Sequence, residues 1–351
     1  MHSLPINKIR AESKHSTNSF VRISLLSQKI FASFNPHSPG ESLANLSISL
    51  LEQQKKEWPQ LADAYASMSS AKVRAIDCKD FPVELQWNPK RIVSASAKVD
   101  ETSVRERKCF LCSENQPREQ KGVLYRDDFV ILCNPAPIFL RHYTIAHRQH
   151  IPQKINGFIR TFVVLAKELS PQFTVFYNGP QCGASAPDHM HFQASPSGSI
   201  PVERDSEDAQ RRLLKKQIGS VSFITLRKYG RRVLLLESGD EKELESCLAG
   251  LLVTMKKVLS ATEEPMVNIL CSFRKNSWRV IVYPRRKHRP AVYFLKGESQ
   301  VIISPAAVDL GGLIITPIEK DFYRVDAKLI ENIFEEVCVG EDMFERIIKE
   351  A

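Results

Sequence analysis

The chain has 351 residues, 43% of them apolar and 25% charged, with a formal net charge of +9. That length suits two domains or one large one, and the composition is ordinary for a globular protein with an ample core. No apolar run is long enough to span a bilayer, and the N-terminal MHSLPINKIR lacks the apolar core of a secretory signal, so a cytoplasmic location is expected.

Residues 1–20 are polar and read as loosely ordered. FVRISLLSQKIFASF, residues 20–34, reads as a strand or a short helix. Residues 42–68 are partly helical and are ended or kinked by Pro59. FPVELQWNPKRIVSAS, residues 81–96, reads as extended, and the charged stretch 95–108 as a loop. GVLYRDDFVILCNPAP then reads as two strands around a charged turn at Arg126, Asp127 and Asp128. HYTIAH is another strand. INGFIRTFVVLAKELS is a helix, with Ile155, Phe158, Ile159, Phe162, Leu165, Ala166 and Leu169 on one apolar face. FTVFYN and DHMHFQAS are strands.

The polar, charged residues 197–217 read as a linker or surface excursion. After them, FITLRKYGRRVLLLES reads as strands and residues 242–261 as an amphipathic helix. VNILCSF and WRVIVYP close the pattern. Strand, strand, helix, strand, strand appears twice, which predicts a duplicated α+β half from the order of elements alone.

Eight cysteines in a chain without a secretory signal are expected to be reduced thiols, and only Cys109 and Cys112 lie close together. Basic clusters at 211–216, 227–232 and 285–289 lack the interleaved exposed aromatics of a nucleic-acid groove, so no nucleic-acid or membrane partner is expected. A modest basic excess suits small phosphorylated ligands. Arg285, Arg286, Lys287 and His288 stand between two readings, solvated charge at a strand end and a phosphate or sugar contact.

The chemistry concentrates in CGASAPDHMHFQASP, residues 182–196. Side chains alternate along a strand, so His189, His191 and Gln193 share one face while Met190 and Phe192 enter the core. A polar stripe of this kind is costly to bury without partners. A neutral imidazole whose other nitrogen is held by an acceptor is a nucleophile, and its attack on an α-phosphorus gives a phosphoramidate. A neighbouring glutamine amide can donate to a non-bridging oxygen, and small residues upstream let backbone N–H groups approach phosphates. The Cys109–Cys112 pair follows a charged loop rather than opening a helix after a strand, so a redox role is disfavoured. A tetrahedral zinc site needs two further ligands. His150 and His189 are the favoured candidates, with His142 and His147 as alternatives.

CxxC, strands, HYTIAHRQHIP, a helix, and then YNG with GAS and HMHFQ resemble the histidine-triad superfamily. HxHxQ marks the nucleotidyltransferase branch, which includes galactose-1-phosphate uridylyltransferase, diadenosine tetraphosphate phosphorylase and GDP-L-galactose phosphorylase. The resemblance covers residues 105–200 well and 220–325 loosely. It implies an α+β fold of two histidine-triad-like halves, each an antiparallel sheet with a packed helix. Residues 1–100 would be an N-terminal extension packing on the core, 101–200 the catalytic half, 201–217 a linker, and 218–351 a second half without the triad.

It further implies His191 as nucleophile and Gln193 as the group steadying the nucleotidyl moiety. Asn178, Gly183 and Ser185 would contact phosphate, and Cys109, Cys112, His150 and His189 would hold a structural zinc. One departure stands out: Ser185 lies four residues before His189, not three, with Asp188 in the extra position. The implied reaction is nucleotidyl transfer from a nucleoside diphosphate sugar or dinucleotide to inorganic phosphate or a sugar phosphate. The alternatives are a hydrolase of the same superfamily and a non-catalytic nucleotide-binding protein. A homodimer is a further expectation.

Overall fold

The protein is described here by a computed structural model covering residues 28–37, 40–97 and 99–351. The polar stretch 1–20 and the first part of 20–34 lie outside the described residues. The end of that segment is strand β1, Ile30–Phe34. Helices α1, Leu43–Glu57, and α2, Pro59–Ala66, follow. The Ser42 hydroxyl caps α1 by accepting the Asn45 N–H. The break falls at Pro59, whose missing N–H is tolerated only in a first turn. Strands β2, Lys72–Asp77, and β3, Pro82–Trp87, pair antiparallel. The extended expectation for residues 81–96 holds only to Trp87; Pro89 cannot donate to a ladder, and short helical turns run from there to Ala95.

The main sheet begins with β4, Gly122–Tyr125, and β5, Phe129–Cys133. Arg126 and Asp127, both at positive φ, make the turn between them. Strand β6, Tyr143–His147, leads to helix α3, Ile159–Glu168, and then to β7, Phe173–Asn178, and β8, His191–Pro196. The second set is β9, Arg212–Ile218, β10, Val221–Leu226, β11, Leu234–Ser238, helix α4, Glu241–Val258, β12, Val267–Arg274, and β13, Ser277–Pro284. A last strand, β14, Leu313–Thr316, precedes helices α5, Ala327–Val337, and α6, Glu341–Glu350.

The linker expected over 201–217 is corrected by the structure. Pro201–Asp205 is a helical turn, and Arg212–Ile218 is the edge strand of the sheet. Its charged side chains are what an edge strand carries to discourage further pairing. Each set therefore has three strands before its helix: the first as its segments read, the second with one more.

The sheet has eleven strands in the order β1-β4-β5-β6-β8-β7-β12-β13-β11-β10-β9. Leaving β1 aside, that order is palindromic about the β7–β12 pair, where Asn178 faces Asn268. Two similarly wound α+β halves thus form one sheet. Helices α1, α3, α4 and α6 cover one face, burying Leu50, Phe162, Leu248 and Ile347 against Phe192, Val175 and Val280. The small sheet β14-β3-β2 and the segment through α5 cover much of the other. The second half keeps no histidine stripe on that face. Strand β13 pairs with β12 as β8 pairs with β7, yet it carries no histidine, and its Ile281 and Tyr283 are buried in the apolar layer on that face.

Candidate active site and metal centre

Strand β8 begins at His191, three residues later than the stretch DHMHFQAS suggests. Met190 and Phe192 are buried in the main core, as the alternation requires. On the opposite face Gln193 sits between Thr144 of β6 and Phe176 of β7, while His191 lies across from Ala146, which leaves room above the imidazole. Gln153 pins the strand start: its Oε1 accepts the His191 N–H at 2.7 Å, and its Nε2 donates to the carbonyls of Asn178 and His191.

The His191 Nδ1 lies 2.8 Å from the His189 carbonyl and therefore carries the proton. Its Nε2 has no hydrogen-bond partner among the described residues and is left to the cavity that His191 lines. Burial pushes the imidazole down to about 4, so it is neutral near pH 7.

Gln193 is oriented by His142, a residue considered in the sequence only as an alternative metal ligand. The His142 Nδ1 accepts the Ile138 N–H at 3.2 Å, so its proton is on Nε2, which lies 2.9 Å from Gln193 Oε1. The Gln193 amide nitrogen is thereby turned to the cavity. Burial, helped by the Arg91 charge, pushes His142 down to about 3 and keeps it neutral. Asn178 is oriented in the same way from the second half. Its Oδ1 accepts from Asn268 Nδ2 at 2.8 Å and from the Ala307 N–H at 2.9 Å. Asn268 is in turn fixed by Arg285 Nη1 at 2.5 Å. Arg285 is 1% exposed and spends its other donors on the carbonyls of Pro305, Val337, Lys287 and His288. Of the two readings of that basic cluster, Arg285 fits neither; it is a buried brace.

His189 leaves the stripe. It occupies the bend before β8, and its Nδ1 lies 3.3 Å from Cys109 Sγ and 3.6 Å from Cys112 Sγ. The His150 Nδ1 lies 3.2 Å from Cys112 Sγ. The ligand atoms of Cys109, Cys112, His150 and His189 all fall within 4.8 Å of one another. A tetrahedron with zinc–sulfur and zinc–nitrogen bonds of about 2.3 and 2.0 Å places neighbouring sulfur and nitrogen about 3.5 Å apart, which these separations match. The His189 Nε2 faces the His147 carbonyl at 2.7 Å, so its Nδ1 is the unprotonated nitrogen that a metal requires. The donor set thus fits a metal ion. Of the alternative ligands, His142 is engaged with Gln193, and His147 Nδ1 accepts the Gln149 N–H.

His191, Gln193, Asn178, Gly183 and Ser185 line one cavity of about 760 Å³. Gly183 has φ +91°, and a Cβ there would stand 2.6 Å from the Ala306 Cβ, so the loop needs glycine. The Ser185 hydroxyl makes no hydrogen bond with a described residue. Residues outside the motif bring charge: Lys90, Arg91, Arg107 and Arg289 line the cavity, and Asp309 is its one acid among the described residues. Asp309 is held by the N–H groups of Ala306 and Ile315, and burial pushes it up to about 6. Arg91 is anchored to the Ala136 carbonyl at 2.8 Å, while its Nε is buried without a partner. Burial pushes this guanidinium down to about 10, against the opposing pull of the Asp309 charge. No sequence pattern points to Arg91, which lines the cavity, or to Asn268, which stands behind Asn178; both are placed only by the tertiary fold.

Fold and site together resemble what the histidine-triad superfamily implies. Residues 50–196 match a domain of unknown function, DUF4922, and residues 202–351 match the family described as GDPGP1-like, C-terminal domain. Yeast Ap4A phosphorylase Apa2 has the same fold, with TM-score 0.55 and 15% identity over 80% of this chain and 96% of that one. Its complex with AMP aligns with TM-score 0.52 and 15% identity over 82% and 96% of the two chains. Its complex with Ap4A gives 0.51 and 14% over 80% and 97%. No curated protein matches. The chain has the fold of Ap4A phosphorylase, and its C-terminal half matches a GDPGP1-like domain. Among the described residues no helix is long and apolar enough to cross a membrane.

Proposed function

We propose that the protein is a nucleotidyltransferase of the phosphorylase type, acting on a nucleoside diphosphate sugar or a dinucleotide by double displacement. The His191 Nε2 attacks the α-phosphorus; a P–N bond forms, the P–O bond breaks, and a sugar 1-phosphate or nucleotide leaves. An oxygen of inorganic phosphate or a sugar phosphate then attacks the same phosphorus. The P–N bond breaks, and the nucleotidyl group departs with the acceptor. The amides of Gln193 and Asn178 donate to the oxygens that carry developing charge. Gly183 lets the loop backbone approach the phosphates, with Ser185 beside it. Lys90, Arg91, Arg107 and Arg289 offset the substrate's negative charge. Cys109, Cys112, His150 and His189 would hold zinc, which would fix the fold around the motif and take no part in the transfer.

The observation that carries this reading is the His191 geometry: a neutral imidazole, protonated at Nδ1 by its own chain, with Nε2 free in a cationic cavity. The GDPGP1-like match and the AMP and Ap4A complexes of the yeast phosphorylase support a nucleotide substrate. The test mixes the protein with nucleotide sugars and Ap4A, with and without inorganic phosphate. A nucleoside diphosphate formed only with phosphate is expected, together with a mass gain of one nucleotide on His191. His191→Ala should abolish turnover and retain binding. A monophosphate formed regardless of phosphate would mean hydrolysis, and undiminished turnover in the variant would remove the covalent step.

A further inference from the structure

The proposed reaction leaves Asp188 without a task. It stands immediately before His189, at the position by which this sequence is one residue longer than the pattern it resembles. Its two oxygens serve different neighbours. Oδ1 accepts from Arg107 Nη2 at 2.8 Å, and Oδ2 lies 3.5 Å from His150 Nε2. The opposite nitrogen of that ring, Nδ1, faces Cys112 Sγ. Arg107 lines the cavity, its Nε is buried without a partner, and its guanidinium lies 5.4 Å from the ring of Phe110, between the two cysteines. The Asp188 side chain is only 18% exposed, so this is not a loose surface pair. One carboxylate therefore connects a metal-ligand histidine to a cation on the cavity wall.

We propose that Asp188 is a positioning residue that couples occupancy of the metal site to the placement of Arg107 in the cavity. The inference rests on the reading of Cys109, Cys112, His150 and His189 as a metal site. A carboxylate on the second nitrogen of a metal-bound imidazole fixes the ring's tautomer and orientation and strengthens the ligand. The effect runs both ways. An imidazole bound through Nδ1 is a stronger donor at Nε2, so it holds the carboxylate more firmly. A fixed carboxylate then presents one oxygen to Arg107 in a single direction. Coupling between two sites is reciprocal, so loss of the carboxylate must show at both.

The test uses the full chain loaded with zinc and reads two quantities. One is zinc affinity, by competition with a chelating dye. The other is the rate at which phenylglyoxal modifies Arg107, followed by peptide mass. Asp188→Asn is expected to weaken zinc binding about tenfold. It is also expected to speed modification of Arg107 several-fold, whether or not zinc is then removed. In the wild type, removing zinc should itself speed that modification. Asp188→Glu, which keeps the charge, should recover part of both effects. If Asp188→Asn fails to fold by circular dichroism, the wild-type comparison with and without zinc decides. A wild type that binds no zinc overturns the metal reading and the coupling with it. A wild type that binds zinc, with Arg107 equally reactive in its loaded and zinc-free forms, overturns the coupling alone. Unchanged zinc affinity in a folded Asp188→Asn does the same.

Discussion

Among the amide side chains that line the cavity, Gln193 and Asn178 are each turned by a residue outside the HxHxQ motif. His142 holds Gln193 through one oxygen, and Asn268 with the Ala307 N–H holds Asn178 through another. Without such a partner an amide can flip and offer oxygen instead of nitrogen to a phosphate. Gln193→Ala should lower kcat roughly 100-fold, the usual cost of one donor to developing charge. His142→Ala should lower kcat by about 10-fold or more with little change in KM, and the double variant should be no slower than Gln193→Ala. Effects that multiply instead would mean that His142 acts independently of Gln193. The motif, the CxxC pair and His150 were legible in the sequence because spacing within one strand or loop carries them. Asn268 and Arg285 were not, because Asn268 meets Asn178 only across the β7–β12 pairing, ninety residues away, and Arg285 acts through Asn268.

The elements that the sequence revealed best are those with one buried face. Helices α3 and α4 repeat apolar residues at helical spacing, and each buries that face against the sheet. Strand β9 was hidden because RLLKKQI is an edge, half-exposed and charged, with no clean alternation. The start of β8 was misplaced for a related reason: His189 continues the polar alternation in sequence, yet the chain bends there to deliver it to the cysteines. The loop before that bend offers a sharp test. Gly183 is in the left-handed region, with the Ala306 methyl where a side chain would go. Gly183→Ala should destabilise the protein by about 1–3 kcal/mol through backbone strain and overpacking. The urea midpoint should fall with the slope unchanged, and an unaltered midpoint would show that the loop yields freely.

At the scale of the whole molecule, one sheet joins a half that holds the candidate site to a half that braces it. The duplication was visible in the order of elements, whereas the seam was not, because strand pairing between distant segments leaves no local pattern. Burying histidines on the shared face has a consequence for acid stability. His142 is held near 3 and His288 near 4, in both cases chiefly by burial, against 6.5 for a free imidazole. Below pH 6.5 the unfolded chain binds protons that these native side chains refuse. Their contribution is therefore complete above pH 6.5 and is lost as pH falls towards the folded values, at up to about 1.4 kcal/mol per pH unit for each. Asp309, raised to about 6, works in the opposite sense below that pH, as do the raised Glu203 and Glu264, so the total curve is a poor witness. A difference between proteins isolates one histidine. His142→Gln cannot take up a proton, so the stability advantage of the wild type over it should shrink as pH falls from 6.5 to 4.5. The change should approach 1.4 kcal/mol per pH unit, measured by urea unfolding at each pH. An advantage that stays constant across that range would mean that His142 is protonated as readily in the folded protein as in the unfolded chain.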